Sequence, residues 1–214
     1  MKYKLIIFDL DGTILDTLLD LANSLNYALR NCGYPERTID EVRRFVGNGI
    51  RKLMERGVPE NTPTPEVDKV HAAFTEHYKV HCADFTKPYD GIEGLLKTLR
   101  KNGYKTAVVS NKADYAVQEL CKQYFDGLFD FAVGERDGVR KKPAPDSVNE
   151  VLNTLGISAN DAVYIGDSEV DIETANNAHL PHIIVTWGFR DKAFLRKHGA
   201  EVFVSSPQEI LDLV

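Results

Sequence analysis

Five short apolar runs, at residues 4–8, 105–109, 129–133, 162–165 and 182–185, constrain this chain more than any other feature. The first, Leu5-Ile6-Ile7-Phe8, is apolar at every position, so neither of its faces can meet water. Strands of that kind need helices above and below them. The intervening sequence provides the pattern: residues 91–102 place Ile92, Leu95, Leu96 and Leu99 on one face and stop at Gly103. Residues 113–124 and 145–155 repeat it, the latter ending before Gly156. Strand and helix alternating at this spacing predict an α/β fold, a doubly wound, Rossmann-like parallel sheet.

One stretch breaks the alternation. Between Asp16 and Ala83 only helical patterns occur, at residues 20–32 (Leu21, Leu25, Ala28 and Leu29), 38–45, 49–56 and 65–82. A helical block inserted after the first strand predicts an all-helical cap domain at residues 16–83. The catalytic core would then comprise residues 1–15 and 84–214. Turn-rich segments, Asp11-Gly12-Thr13 and Pro88-Tyr89-Asp90-Gly91, stand at the two crossings. Residues 20–83 hold nine acidic and nine basic side chains, so the net charge of −6 belongs to the core.

That negative charge argues against nucleic-acid binding, because phosphate backbones demand surplus Lys and Arg. No run approaches the roughly 18 apolar residues of a membrane span. Asp9 interrupts the first apolar run too early for a signal peptide. Cys32, Cys82 and Cys121 are too scattered for a disulfide scaffold or a four-sulfur metal site. The expectation is a reduced, cytoplasmic protein, monomer or homodimer, with neither nucleic-acid nor membrane partners.

In open α/β sheets, ligands bind beyond the carboxyl ends of the strands. The first strand ends in Asp9-Leu10-Asp11-Gly12-Thr13. Asp9 and Asp11, two apart, can project toward one locus, and Gly12 lets the backbone turn away. Two carboxylates so placed repel unless a cation sits between them, and clustered oxygens suit Mg²⁺.

This pentapeptide resembles the first motif of the haloacid dehalogenase superfamily, most of whose members are phosphatases. Three further motifs match in order: Val108-Val109-Ser110-Asn111, Lys142-Pro143 and Gly166-Asp167-Ser168-Glu169-Val170-Asp171. The resemblance spans the whole chain. It implies that Asp9 is the nucleophile, forming an aspartyl-phosphate, and that Asp11 is the general acid and then the general base. Ser110, Asn111 and Lys142 would hold phosphoryl oxygens. Asp9, the Asp11 carbonyl and Asp167 would hold Mg²⁺, while Asp171 would orient Lys142 or a metal-bound water. Ser110 and Asn111 could instead cap a helix beginning near residue 113. Thr13 has two readings as well, phosphoryl contact or turn support. Of Lys141 and Lys142, the proline context selects the second. Trp187-Gly188-Phe189-Arg190 reads as core packing followed by a turn.

Dehalogenases proper lack the acid at the second position, because a departing halide needs no proton. Asp11 therefore favours phosphate esters. Within the predicted cap, Gly47-Asn48-Gly49 opens a helix whose free amides can receive an anion, with Arg51 close behind. Residues 41–56 carry five basic side chains against two acidic ones. With residues 20–29 and 166–175, this segment resembles the phosphoglycolate phosphatase branch. The expected substrate is a small phosphorylated metabolite, 2-phosphoglycolate first. A sugar phosphate, a pyrophosphate or phosphomutase chemistry are the alternatives. A phospho-acceptor signalling domain would be about half this length without an insertion, and a scaffold would have lost a catalytic group.

Overall fold

The computed structural model describes residues 2–214. Six parallel strands form the main sheet: β1 (Leu5–Phe8), β4 (Lys105–Ala113), β5 (Phe131–Glu135), β6 (Ala162–Gly166), β7 (His182–Val185) and β8 (Phe203–Val204). Their order is β5-β4-β1-β6-β7-β8. The chain thus builds outward from β1 to one edge, then returns to β1 and builds to the other. The switch point lies between β1 and β6.

Alternation along β1 decides which layer each side chain joins. Ile6 and Phe8 pack under α5 (Ile92–Lys101), α6 (Asp114–Phe125) and α10 (Pro207–Leu211). Leu5 and Ile7 pack on the opposite face against α7 (Asp146–Leu155) and α8 (Glu169–Asn177). A smaller cluster joins Ile172 of α8 and Ile184 of β7 to Leu195 of α9 (Lys192–Lys197). The expected doubly wound α/β core is present.

Four helices, α1 (Leu18–Asn31), α2 (Ile39–Phe45), α3 (Ile50–Gly57) and α4 (Thr64–His81), surround a separate apolar cluster containing Leu25, Leu29, Met54, Val70 and Phe74. The two chain crossings pair as a short antiparallel ribbon, β2 (Leu15–Asp16) with β3 (Lys87–Pro88). Buried Asp20 fastens this ribbon: the backbone amides of Phe85 and Thr86 and the Thr86 hydroxyl all donate to its carboxylate. Two-residue strands carry no periodicity, and the ribbon was not anticipated.

The third run also differs. Its strand begins at Phe131 rather than residue 129. The Phe129 ring stands edge-on to Phe8 and Phe125, so it serves as a core plug. Asp130 ties the turn to Arg100 and Lys105. No helix among the described residues is long and apolar enough to cross a membrane.

Candidate active site

Three strand ends converge at the switch point. Asp9 and Asp11 follow β1, Asp167 follows β6, and β4 carries Ser110, Asn111 and Lys112 before α6 begins at Asp114. These strand ends and the four-helix unit enclose one pocket.

Lys142 is the hub of the core side. Its Nζ lies 2.9 Å from Asp9 Oδ1 and donates to Asp171 Oδ1 at 2.8 Å and to the Tyr164 hydroxyl at 3.0 Å. Burial alone would lower its pKa, but Asp171 and Asp9 outweigh it and hold the ammonium well above the usual lysine range. Tyr164 donates in turn to the Val109 carbonyl at 3.0 Å. Asn111 fixes the loop that presents the lysine. Its Oδ1 accepts from Lys142 N at 2.9 Å, and its Nδ2 donates to Lys142 O at 3.0 Å. Lys141 turns aside to Glu135, as the proline context required.

Both oxygens of Asp171 are engaged. Besides Lys142, it accepts at Oδ2 from the Asp167 amide, the Ser168 amide and the Ser168 hydroxyl. Burial would raise its pKa; Lys142 and Ser168 prevail and keep it below the usual carboxylate range. Asp9 and Asp167 go the other way. Burial, reinforced by Asp171 and Asp11 against the pull of Lys142, pushes Asp9 up to about 7. Burial, then Asp171 and Asp9, raise Asp167 far above the ordinary range.

Carboxylate oxygens of Asp9, Asp167 and Asp171 lie within 4.8 Å of one another. Both oxygens of Asp171 are already engaged, Oδ1 by Lys142 and Oδ2 by Asp167 N and Ser168, which makes Asp9 and Asp167 the freer pair. Asp9 Oδ1 accepts from Leu10 N at 2.7 Å, and no donor meets Oδ2. Asp167 is held in place by Thr13 Oγ1 at 3.2 Å and by the Phe189 amide at 2.7 Å. Gly12, at φ +83°, and Gly188 approach so closely that a Cβ at either would collide with that carboxylate. Two immobilised carboxylates that burial and mutual repulsion push toward the neutral form make an all-oxygen cradle. A hard divalent cation fits it, because only such an ion lets both ionise together.

Comparison with known proteins shows which family the chain falls in. The haloacid dehalogenase-like hydrolase model matches residues 6–185. The chain belongs to the haloacid dehalogenase-like hydrolase family. A phosphoglycolate phosphatase of Aquifex aeolicus is 32% identical, with 99% of this chain and 96% of that protein covered. An N-acetylmuramic acid 6-phosphate phosphatase of Pseudomonas aeruginosa is 30% identical, over 100% and 96%. A solved structure from Lactobacillus delbrueckii subsp. bulgaricus, itself assigned as a phosphoglycolate phosphatase, shares 42% identity. Its TM-score is 0.95, with 100% and 98% covered.

For a haloacid dehalogenase-like hydrolase, several expected contacts are redistributed. Ser110 lies in β4 and caps no helix; its Oγ accepts from Lys112 N at 3.3 Å, leaving the O–H to donate into the pocket. Asn111 does not offer its side chain to phosphate, since Lys142 and the Gly47 carbonyl (3.1 Å) occupy it. Thr13 supports Asp167 rather than the phosphoryl group.

The largest correction is Arg51. It pairs with Glu55 and Asp68 and, with Asn48, Lys141 and Lys142, lines a second cavity of about 400 Å³ instead of the pocket. One turn of α3 decides the matter: Ile50 and Leu53 face the pocket, so Arg51 faces away. Gly47 and Gly49 do line the pocket.

Other contributions went unread in the sequence. Lys112 Nζ donates to Asp11 Oδ1 at 3.0 Å and to the Tyr78 hydroxyl of α4. Burial opposes its charge, but Asp11 and Tyr78 prevail and raise its pKa. Residues 187–190 do more than pack. The Trp187 indole donates to Thr13 O at 3.0 Å, and Arg190 reaches Glu169 and the carbonyls of Arg43 and Val46. The available signal for Lys112 was its type: a lysine at the end of an apolar strand, beside two candidate residues.

Proposed function

We propose that this hydrolase is a Mg²⁺-dependent phosphatase acting on a small phosphate monoester, 2-phosphoglycolate first, with the four-helix unit as a cap spanning residues 16–83. The chain is a phosphoric monoester hydrolase. One observation carries the reading: the Asp9 carboxylate, its Oδ1 fixed by Leu10 N and Lys142, opens on a pocket that Asp11 and Ser110 also reach.

Asp9 attacks phosphorus while the bond to the leaving oxygen breaks, and Asp11 gives that oxygen its proton. Water then attacks the aspartyl-phosphate, Asp11 takes the proton back, and phosphate leaves with Asp9 restored. Lys142 and the Ser110 hydroxyl hold the phosphoryl oxygens, and Asp171 holds Lys142. Asp9, Asp167 and the Asp11 carbonyl would hold Mg²⁺, which neutralises charge on nucleophile and phosphoryl group. Seated over the strand ends, the cap excludes water.

The likeness to phosphoglycolate phosphatases along the whole chain supports this substrate. The wall of Leu21, Val46, Ile50 and Leu53 supports it too, since it offers no partners to sugar hydroxyls. The test is phosphate release, with Mg²⁺ and with EDTA, from 2-phosphoglycolate, N-acetylmuramic acid 6-phosphate, hexose phosphates and pyrophosphate. Phosphoglycolate is expected to show the highest kcat/KM. A sugar phosphate ranking first would replace the substrate, and release unaffected by EDTA would remove the metal.

A further inference from the structure

Arg51 leaves the pocket without the cation that the sequence assigned to it, yet a cation is present. Two of the pocket's lining side chains are cationic, Lys112 and Arg190. The Arg190 guanidinium is already committed to Glu169 and to the carbonyls of Arg43 and Val46. Lys112 is differently placed. Its ammonium meets one polar residue of the core and one of α4: Asp11, through Oδ1 at 3.0 Å and more weakly Oδ2 at 3.3 Å, and the Tyr78 hydroxyl. Its side chain is 1% exposed, so its charge is held out of bulk water.

Position strengthens the case. To protonate a departing oxygen, Asp11 must touch it, and Lys112 Nζ stands 3.0 Å from Asp11 Oδ1. A carboxylate on the carbon next to that oxygen is two bonds away and falls within reach of the ammonium. The neighbouring wall is apolar, formed by Leu21, Leu53 and Phe189 among others, and offers such an anion nothing.

We infer that Lys112 is the specificity residue of this pocket: its ammonium binds a carboxylate adjacent to the ester oxygen, in exchange for the longer of its two Asp11 contacts, selecting phosphate esters of small 2-hydroxy acids. The inference rests on the phosphatase reading above. Phosphate is handled by Lys142 and Ser110, and Lys112 reads the other end of the substrate. An ester without the carboxylate gains no such ion pair with the buried ammonium, and that missing contact is the source of discrimination. Tyr78 belongs to α4, so the same ammonium joins the core acid, the substrate and the helical unit at one point.

The experiment compares kcat/KM for 2-phosphoglycolate and ethyl phosphate in the wild type, Lys112→Met and Lys112→Arg. Any loss transmitted through Asp11 falls on both esters, so their ratio isolates the carboxylate contact. Lys112→Met is expected to lower that ratio roughly 10- to 100-fold, the range for a hydrogen bond to a charged partner. The loss should fall mainly in KM, and Lys112→Arg should retain more of the ratio. If Lys112→Met does not fold, Lys112→Gln carries the same test, since it keeps a polar head for Asp11 and Tyr78. An unchanged ratio in a folded variant overturns the role of Lys112 and leaves the phosphatase reading standing. A wild type without preference for the carboxylated ester overturns the substrate, and one that cleaves neither ester overturns the phosphatase reading itself.

Discussion

The two walls of the pocket are built on opposite plans. On the core side, Lys142, Asp171 and Asp167 are buried and each is fixed by at least two polar partners. On the helical side, Leu21, Val46, Ile50 and Leu53 face inward while Arg51 and Lys52 turn outward to Glu55. Fixed charges must be oriented before reaction if they are to stabilise a transition state, so they sit on a rigid parallel sheet. A covering surface needs only shape and dryness, which apolar side chains provide. The chemistry should therefore respond steeply to core substitutions, and the helical wall should respond weakly.

The steepest response belongs to Asp9. Asp9→Asn removes the nucleophile and one of the two free carboxylates together, and a loss of at least about 10⁴-fold in kcat is expected. Folding should survive, because the substitution relieves crowding with Asp167 and Asp171. Phosphate release and a thermal melt check both halves. Turnover above about 1% of wild type would sink the nucleophile assignment.

Asp11→Asn comes next, at about 10²–10⁴-fold. The first chemical step should suffer less for p-nitrophenyl phosphate, whose leaving group departs without a proton, than for an alkyl ester. Rapid quench of both substrates measures that step. Equal losses would show that Asp11 acts by holding Lys112, and the core wall would then have lost its acid.

How legible these walls were in sequence follows from how local each decision was. Asp9, Asp11 and Gly12 adjoin one another at a strand end, so β1 alone determines where they project. The Lys142 choice needed only its proline. Lys112 showed only its residue type, because its partners are remote: Tyr78 is 34 residues away and Asp11 101. Arg51 was misplaced for a related reason. Composition shows that a helix is basic but not which way it is rotated, and the apolar pair Ile50 and Leu53 sets that rotation. Elements such as β2, β3 and β8 are two residues each, too short for any period.

A smaller effect sharpens the comparison through pH. Asp9 rises from an ordinary 3.8 to about 7 in the fold, and Asp167 shifts in the same direction. A group raised on folding contributes stability that is present below about pH 3.8 and lost as pH climbs through about 7. The metal-free protein should therefore weaken between pH 5 and pH 8, and Mg²⁺ should restore most at the alkaline end. At a hundredfold excess over Kd the gain is about 2.7 kcal/mol, or roughly 5–10 °C for a chain of this size. Melts with Mg²⁺ and with EDTA at both pH values measure it. A shift as large at pH 5 as at pH 8 would mean the cation is not relieving these carboxylates.

The weakest effects are expected on the helical wall, at two residues that the sequence grouped together. Gly49 sits at φ +84°, and an added Cβ would come within 2.6 Å of Glu135 Oε2 and 3.1 Å of Lys141 Nζ. Both atoms end flexible side chains and can retreat, so Gly49→Ala chiefly strains the loop, by about 1 kcal/mol. Roughly a fivefold loss is expected, equal for carboxylated and plain esters. Arg51→Ala should do less still. Its exposed pairs with Glu55 and Asp68 are the kind that solvent screens, and nothing of its side chain enters the pocket. All kcat/KM values should stay within about twofold. A selective loss above about tenfold toward 2-phosphoglycolate in Arg51→Ala would mean that α3 turns its charged face inward during turnover. The helical wall would then share in recognition, and the division between a charged core wall and an apolar helical wall would fail.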